Sequence, residues 1–296
     1  MSRIKSFFRI ILIFLLFSLA SLVTRYPYIS NYIYDNRADS LVGTVEEKVE
    51  NIPDVELSDM LIEANKYNLT IASGHVKLTD PFVAEKLGAE AGDYNKLLNM
   101  TPDGVMGSVE IPVLDVHLPI YHGTSDSVLE KGVGHLLGTS LPVGGPSTHS
   151  VLTGHSGLSN AKLFTDLEEL EKGDYFFLNV CGKRLAYKVD DISKVLPEEM
   201  NKLQVYPNKD YCTLVTCTPY GVNTHRLLVR GIATDYKEAE EKAKETKPKK
   251  VESKWMKEYK EALKISLSVF IVSLTILLIY RKLTGTKPEE MIDDFK

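Results

Sequence analysis

A mostly β domain, closed into a barrel or sandwich, is the fold this sequence predicts, with helices before it and apolar segments framing the chain. After Gly104, short runs rich in Val, Ile, Leu and Tyr are punctuated by Gly, Pro and Asn, the texture of strands joined by turns. Between Asp39 and Asn68 apolar residues recur instead at helical spacing. An apolar run stands near each end, Phe7 to Val23 and Ile265 to Tyr280, and each is read as a membrane helix.

The first run is interrupted only by Arg9 and follows Arg3 and Lys5, which is the shape of a signal anchor. No small-x-small cleavage site follows it, so the anchor is expected to be retained. The three basic residues predict a cytoplasmic N-terminus, with the chain after Val23 outside. The second run, flanked by Lys264, Arg281 and Lys282, returns the C-terminus to the cytoplasm. Lys247, Lys249, Lys250, Lys254, Lys257 and Lys260 crowd its outer flank and oppose that orientation. The first segment and the long translocated domain are expected to dominate.

Leu41, Val45 and Val49, then Leu57, Leu61 and Ile62, predict two helices broken near Pro53. The stretch 72–95, with Gly74 and the Asp80-Pro81 step, reads as a loop laid over a surface. Strands are expected at 105–111, 115–121, 149–153, 174–180, 184–192, 211–217 and 226–233. One helix is expected among them, Ala161 to Leu170, from the stripe Leu163, Phe164, Leu167 and Leu170. From Tyr236 to Lys260 almost every second residue is charged, which predicts a solvated helical tether.

A formal charge of −5 argues against a general nucleic-acid binder, because phosphate recognition relies on basic surface. The three cysteines, Cys181, Cys212 and Cys217, include no CxxC pair and no histidine at metal-ligand spacing. No metal or other cofactor is therefore expected. Cys181 and Cys212 read as buried thiols, with a disulfide between them left open in an oxidising compartment.

Chemistry gathers in Tyr211 to Gly231, YCTLVTCTPYGVNTHRLLVRG. Tyr211, Thr213, Val215 and Cys217 share one strand face, and Cys217 ends the strand where Pro219-Tyr220-Gly221 turns. A hairpin back into Arg226 sets a cation beside the thiol, which favours the nucleophilic thiolate. An isolated cysteine is more often a small buried hydrophobe, and an isolated strand-end arginine a surface ion pair. The second constellation, Thr153-Gly154-His155-Ser156-Gly157, exposes an imidazole at another strand end between glycines. A lone histidine is more often structural, but cysteine and histidine at strand ends, far apart in sequence, are what a Cys/His nucleophile system needs.

TLVTC ending at Cys217, TPYGVNTHR ending at Arg226 and TGHSG around His155 closely resemble the catalytic motifs of class C, pilin-polymerising sortases. LPIYHGTS from Leu118 and GTSLPVGG from Gly138 resemble that family's further signatures. The resemblance spans roughly Ser40 to Asp235. It implies an eight-stranded β-barrel with helices in front. The implied reaction is cleavage of a Leu-Pro-any-Thr-Gly sorting signal at Thr-Gly through a thioester on Cys217. His155 would move the protons and Arg226 would hold the substrate carbonyl. The acceptor would be a pilin lysine or, in a housekeeping-type enzyme, a peptidoglycan-precursor amine. Thr79-Asp80-Pro81-Phe82 resembles the class C lid, so Asp80 would pair with Arg226 and Phe82 would lie against the sulfur of Cys217. Without the resemblance, a helix cap at Asp80 and a core Phe82 are the simpler reading. Ser156 departs from the arginine often found after the family's histidine and is expected to tune the pocket rim. The reading of another class is a membrane-tethered β-barrel scaffold with an inert thiol.

The expected organisation is an anchor at 1–24, an extracytoplasmic helical and lid region at 25–104 and a catalytic barrel at 105–235. A charged tether at 236–262, a second membrane helix at 263–282 and a cytoplasmic tail at 283–296 follow. The partners implied are pilin subunits with sorting signals and the cell membrane, and no nucleic acid.

Overall fold

Alternating side chains give each strand one face toward a shared apolar interior, and eight strands close around it. The computed structural model describes residues 2–74, 78–83, 93–158, 161–246, 248 and 254–284. Its strands are β1 (Val105–Ile111), β2 (Val116–His122), β3 (Val133–His135), β4 (Thr148–Thr153), β5 (Tyr175–Val180), β6 (Lys183–Val195), β7 (Asp210–Thr218) and β8 (His225–Thr234). They close in the order β1-β2-β3-β4-β7-β8-β6-β5, and β5 pairs back onto β1. β2 with β3 and β4 with β7 run parallel, whereas the other neighbours are antiparallel. Val109, Leu152, Leu178, Leu214 and Val229 fill the interior at no more than 1% exposure. Burying a side chain of this size contributes roughly 1.5–3 kcal/mol.

All the expected strands are present, with ends shifted by a few residues. β3 was not anticipated. It is short, and its central Gly134 breaks any alternation. That glycine is required, because a Cβ there would lie 2.2 Å from the carbonyl oxygen of Gly123. The helix expected over 161–170 is instead a turn followed by a 3-10 segment, Leu167–Glu169. Leu163 adopts φ +42°, which stops helix propagation, and the Phe164 N–H donates to the His155 carbonyl at 3.0 Å. The apolar stripe was correctly read as buried, since Leu163, Phe164, Leu167 and Leu170 are 1–3% exposed.

Helices α1 (Ser2–Asn51) and α2 (Asp54–Ser73) separate at Ile52-Pro53, where the sequence predicted the break. Pro53 fixes φ at −59° before α2, and Asp54 and Glu56 place negative charge at its N-terminus. α1 buries Ala38, Val42, Val45 and Val49 at helical spacing, while Asn179 donates to Glu46 across 2.8 Å. The charged stretch after the barrel is only partly a tether. Over α4 (Tyr236–Glu245), Ala239 is 1% exposed and packs with Phe177 and Ala186. The ring of Tyr236 meets that of Phe177 edge-on at 5.6 Å.

The chain forms two units, residues 1–251 and 252–296, and the second contains α5 (Lys254–Thr284). Among the described residues no helix is long and apolar enough to cross a membrane. The backbone of both expected spans is helical, within α1 and α5. The side chains of residues 1–19 and several in α5 lie outside the description. So do Lys247, Lys249 and Lys250 of the charged segment, and the expected tail beyond Thr284.

One buried amide ties α2 to the barrel domain. Asn68, 3% exposed, donates to the Leu141 carbonyl at 3.1 Å and accepts from the Leu141 N–H at 2.7 Å. Asn68→Leu keeps the volume and strands both peptide groups of Leu141, so we expect stability to fall by about 2–3 kcal/mol. Chemical denaturation followed by far-UV circular dichroism measures it, and an unchanged midpoint would show that water satisfies Leu141.

Candidate active site

Strand register assembles the site. In the β7–β8 ladder Cys217 stands opposite Arg226 and Val215 opposite Leu228, so these four share one face. The parallel β4–β7 ladder pairs Thr153 with Val215, which carries Gly154 and His155 past the end of β4 toward Cys217. Three hydrogen bonds fix that extension. The Gly154 N–H donates to the Val215 carbonyl at 3.0 Å, and the Thr216 hydroxyl to the Gly154 carbonyl at 2.7 Å. The Ser156 hydroxyl donates to the Cys217 carbonyl at 2.8 Å. Gly154 has no alternative here, because a Cβ would sit 2.7 Å from the ring of Phe164.

Arg226 is 7% exposed and every edge of its guanidinium is engaged. Nη1 donates to the carbonyls of Asn223 and His225 at 3.0 and 3.1 Å. Nε and Nη2 form a bidentate pair with Asp80, at 2.8 Å to Oδ1 and 2.6 Å to Oδ2, the strongest geometry for this pair of groups. Asp80 is therefore a buried partner of the barrel and not a helix cap, since it lies outside any helix. The Phe82 ring centroid lies 5.0 Å from the Arg226 guanidinium carbon and 5.6 Å from the centre of the His155 imidazole. Leu78 and Phe82 pack on an apolar floor that includes Val151, Val195, Val215 and Leu228. The segment 78–83 thus lies over the rim that carries Cys217, His155 and Arg226.

Electrostatics describe a resting site. Burial raises the pKa of the half-buried Cys217 thiol, Arg226 opposes that shift, and the Asp80 carboxylate adds to it. Burial lowers the His155 pKa, while Asp126 and Glu130 act in the opposite sense. A thiol held above its ordinary range and an imidazole held below leave both groups neutral near pH 7. Cys181 and Cys212 are also free thiols. Both are buried, and burial alone pushes Cys181 up to about 12, so neither is a ready nucleophile.

The structure thus brings Cys217, Arg226, His155, Asp80 and Phe82 to one place. Sequence reasoning did not find the hydroxyls of Ser156 and Thr216 that clamp the histidine loop, nor the packing of Leu78. Ser156 had been noticed only as a departure from an expected arginine. Gly154 and Gly157 flank the His155-Ser156 pair, and that was the available signal that backbone approaches backbone here.

Residues 109–234 match the model of the sortase domain. Among solved structures, Sortase C1 of GBS pilus island 1 is 41% identical with a TM-score of 0.61, over 67% of this chain and 93% of that one. Sortase C of Streptococcus pneumoniae is 40% identical with a TM-score of 0.61, over 67% of this chain and 97% of that one. Sortase A of Streptococcus agalactiae is 34% identical over 117 residues, which is 38% of this chain and 47% of that protein. The chain thus spans about half the length of that curated relative. With the barrel, its helices and these class C neighbours in agreement, the chain belongs to the sortases, a family of cysteine transpeptidases.

Proposed function

We propose that this chain is a membrane-anchored class C sortase that cleaves a Leu-Pro-any-Thr-Gly-like sorting signal and joins it to a pilin lysine. The observation that carries the chemistry is Arg226. It lies opposite Cys217 in the ladder, and its Nε–Nη2 edge already holds two carboxylate oxygens of Asp80. An oxygen held there is where a substrate carbonyl and its developing oxyanion would be stabilised.

In this mechanism the Cys217 sulfur attacks the threonine carbonyl carbon. His155 takes the thiol proton as the sulfur attacks and passes it to the glycine nitrogen as the C–N bond breaks, leaving a thioester. The incoming lysine amine then attacks the thioester carbonyl, His155 takes its proton, and the Cys217 sulfur departs. The segment around Asp80 and Phe82 acts as a lid that must leave before the carbonyl can enter. Pilins as substrates are favoured by this lid and by the relatives, one named for a pilus island and one described for its pilin substrate specificity. The basic start of the chain and its apolar runs support anchoring, with the barrel outside and both termini inside.

Cys217→Ala should abolish cleavage of a sorting-signal peptide with the circular dichroism spectrum unchanged, whereas Cys181→Ala and Cys212→Ala should still cleave. Residual turnover by Cys217→Ala would refute the nucleophile. With purified pilin as acceptor, mass spectrometry should find an isopeptide bond to lysine, and transfer only to a peptidoglycan-precursor amine would instead indicate a housekeeping enzyme.

Asp80→Ala combined with Phe82→Ala should speed iodoacetamide labelling of Cys217 several-fold without a large fall in melting temperature. Opening the lid hydrates the guanidinium that would otherwise be left buried and unpaired. The sign with pH follows as well. Removing the Asp80 carboxylate deletes a contribution that raises the thiol pKa, so the midpoint of the labelling rate against pH should move down. A sharp melting loss with no faster labelling would make these residues structural.

A further inference from the structure

A buried hydroxyl beside His155 has no part in the chemistry above. Among the described residues, Thr153 Oγ1 is one of five buried side-chain atoms without a hydrogen-bond partner, and Thr153 is 0% exposed. Leaving such a group unmatched costs about 1–3 kcal/mol, and valine would fill the same space without that cost. A second orphan, Ser193 Oγ, lies on the same side of the sheet but on the half-exposed end of β6.

Register shows where Thr153 faces. Val151 and Thr153 are two apart on β4 and share a face, and Val151 belongs to the floor on which Leu78 and Phe82 pack. Leu152, between them, belongs to the barrel interior. Thr153 stands opposite Val215, which stands opposite Leu228, both floor residues. This row is adjacent to the one carrying Cys217 and Arg226. Along β4, Thr153 lies between Val151 and His155, and Phe82 is 5.6 Å from the latter. The lid therefore lies over both neighbours of the hydroxyl and gives it no hydrogen-bond partner.

We infer that Thr153 is a substrate-contacting residue whose hydroxyl donates to a main-chain carbonyl of the sorting signal once the lid has left. The proposal rests on the sortase reading given above. An extended peptide laid across β8, β7 and β4, which are spaced about 4.8 Å apart, passes over this row on its way to Cys217. Its main-chain carbonyls are the acceptors the floor lacks. The lid's apolar residues cover the floor without matching the hydroxyl, so the closed state is left with a need that the substrate meets.

The test uses the lid-open parent, Asp80→Ala with Phe82→Ala, and a fluorogenic sorting-signal peptide. Adding Thr153→Val should raise KM about tenfold with little change in kcat, while the iodoacetamide labelling rate of Cys217 stays the same. Melting temperature should hold or rise, because the orphan hydroxyl is gone. Thr153→Ser, which keeps the donor, should restore KM. The peptide's Kd for the Cys217→Ala form of each variant, which is independent of turnover, should move with KM. Equal KM and Kd in the Thr153→Val and parent proteins overturn this inference alone. A lowered melting temperature with unchanged Kd assigns Thr153 a structural role and overturns it too. A parent that cleaves no sorting-signal peptide overturns the transpeptidase reading, and this inference with it.

Discussion

The parallel pairing of β4 with β7 is the constraint on which the site depends. Parallel strands begin and end at the same edges of a sheet, and they cannot be joined by a tight turn. Between Thr153 and Asp210 the chain must therefore travel through β5 and β6, and that excursion supplies the strands that close the barrel. Its consequence is that β4 and β7 both finish at one rim, which delivers His155 and Cys217 together. β8 then starts at that rim because it pairs antiparallel with β7, and Arg226 is its second residue. That topological choice thus brings the distant His155 to the hairpin that carries Cys217 and Arg226.

The bidentate pair of Asp80 with Arg226 builds on that rim and sets its resting state. Arg226 already gives one edge to the carbonyls of Asn223 and His225, so the edge that holds the carboxylate is the one that, on the proposed reading, would hold a substrate oxygen in its place. Held by Asp80, the guanidinium loses part of its influence on the thiol, because a negative charge now lies close to where the thiolate would form. Burial under the lid works in the same direction on Cys217 and in the opposite one on His155. The neutral pair that results is a poor nucleophile and a poor acid. Covering the site and discharging it are one physical event.

How much of this was legible in the sequence differs by element. The strand-end positions of Cys217, His155 and Arg226 were legible because strand ends are marked by Gly, Pro and Asn and a hairpin fixes which residues stand opposite, while it was the resemblance that singled them out as a set. The strands were legible as short runs rich in Val, Ile, Leu and Tyr between turn residues, except β3, whose Val133-Gly134-His135 is too short to form such a run. Leu163 and its neighbours misled because an apolar 3.6-residue stripe reports burial, and irregular chain can bury the same residues. Only resemblance found Asp80 and Phe82, whose partners lie more than 70 residues away along the chain. α4 was misjudged because its many charges hide a single seam, Tyr236, Ala239 and Ala243. The clamp made by Ser156 and Thr216 was not legible, since a hydroxyl's partner depends on backbone placed by the parallel ladder.

A lid covalently joined to the barrel it covers competes with substrate at an effective concentration set by its tether, on the order of millimolar for a short linker. A sorting-signal peptide free in solution must overcome that competition with its own affinity. In the proposed membrane-anchored arrangement, enzyme and substrate share a thin layer near one surface, which raises the local concentration of substrate without any new contact. On the proposed reading, a lid that suppresses reaction with stray peptides would cost less against a substrate held beside it. On that reading selectivity would arise from two barriers, expelling Asp80 from Arg226 and displacing Leu78 and Phe82 from the floor. A ligand that replaces only one is left with either an unmatched guanidinium or an exposed apolar surface. A segment carrying an apolar residue and a correctly placed carbonyl replaces both, and the order Leu-Pro-any-Thr fits that requirement, with its leucine three residues ahead of the carbonyl that Arg226 would hold.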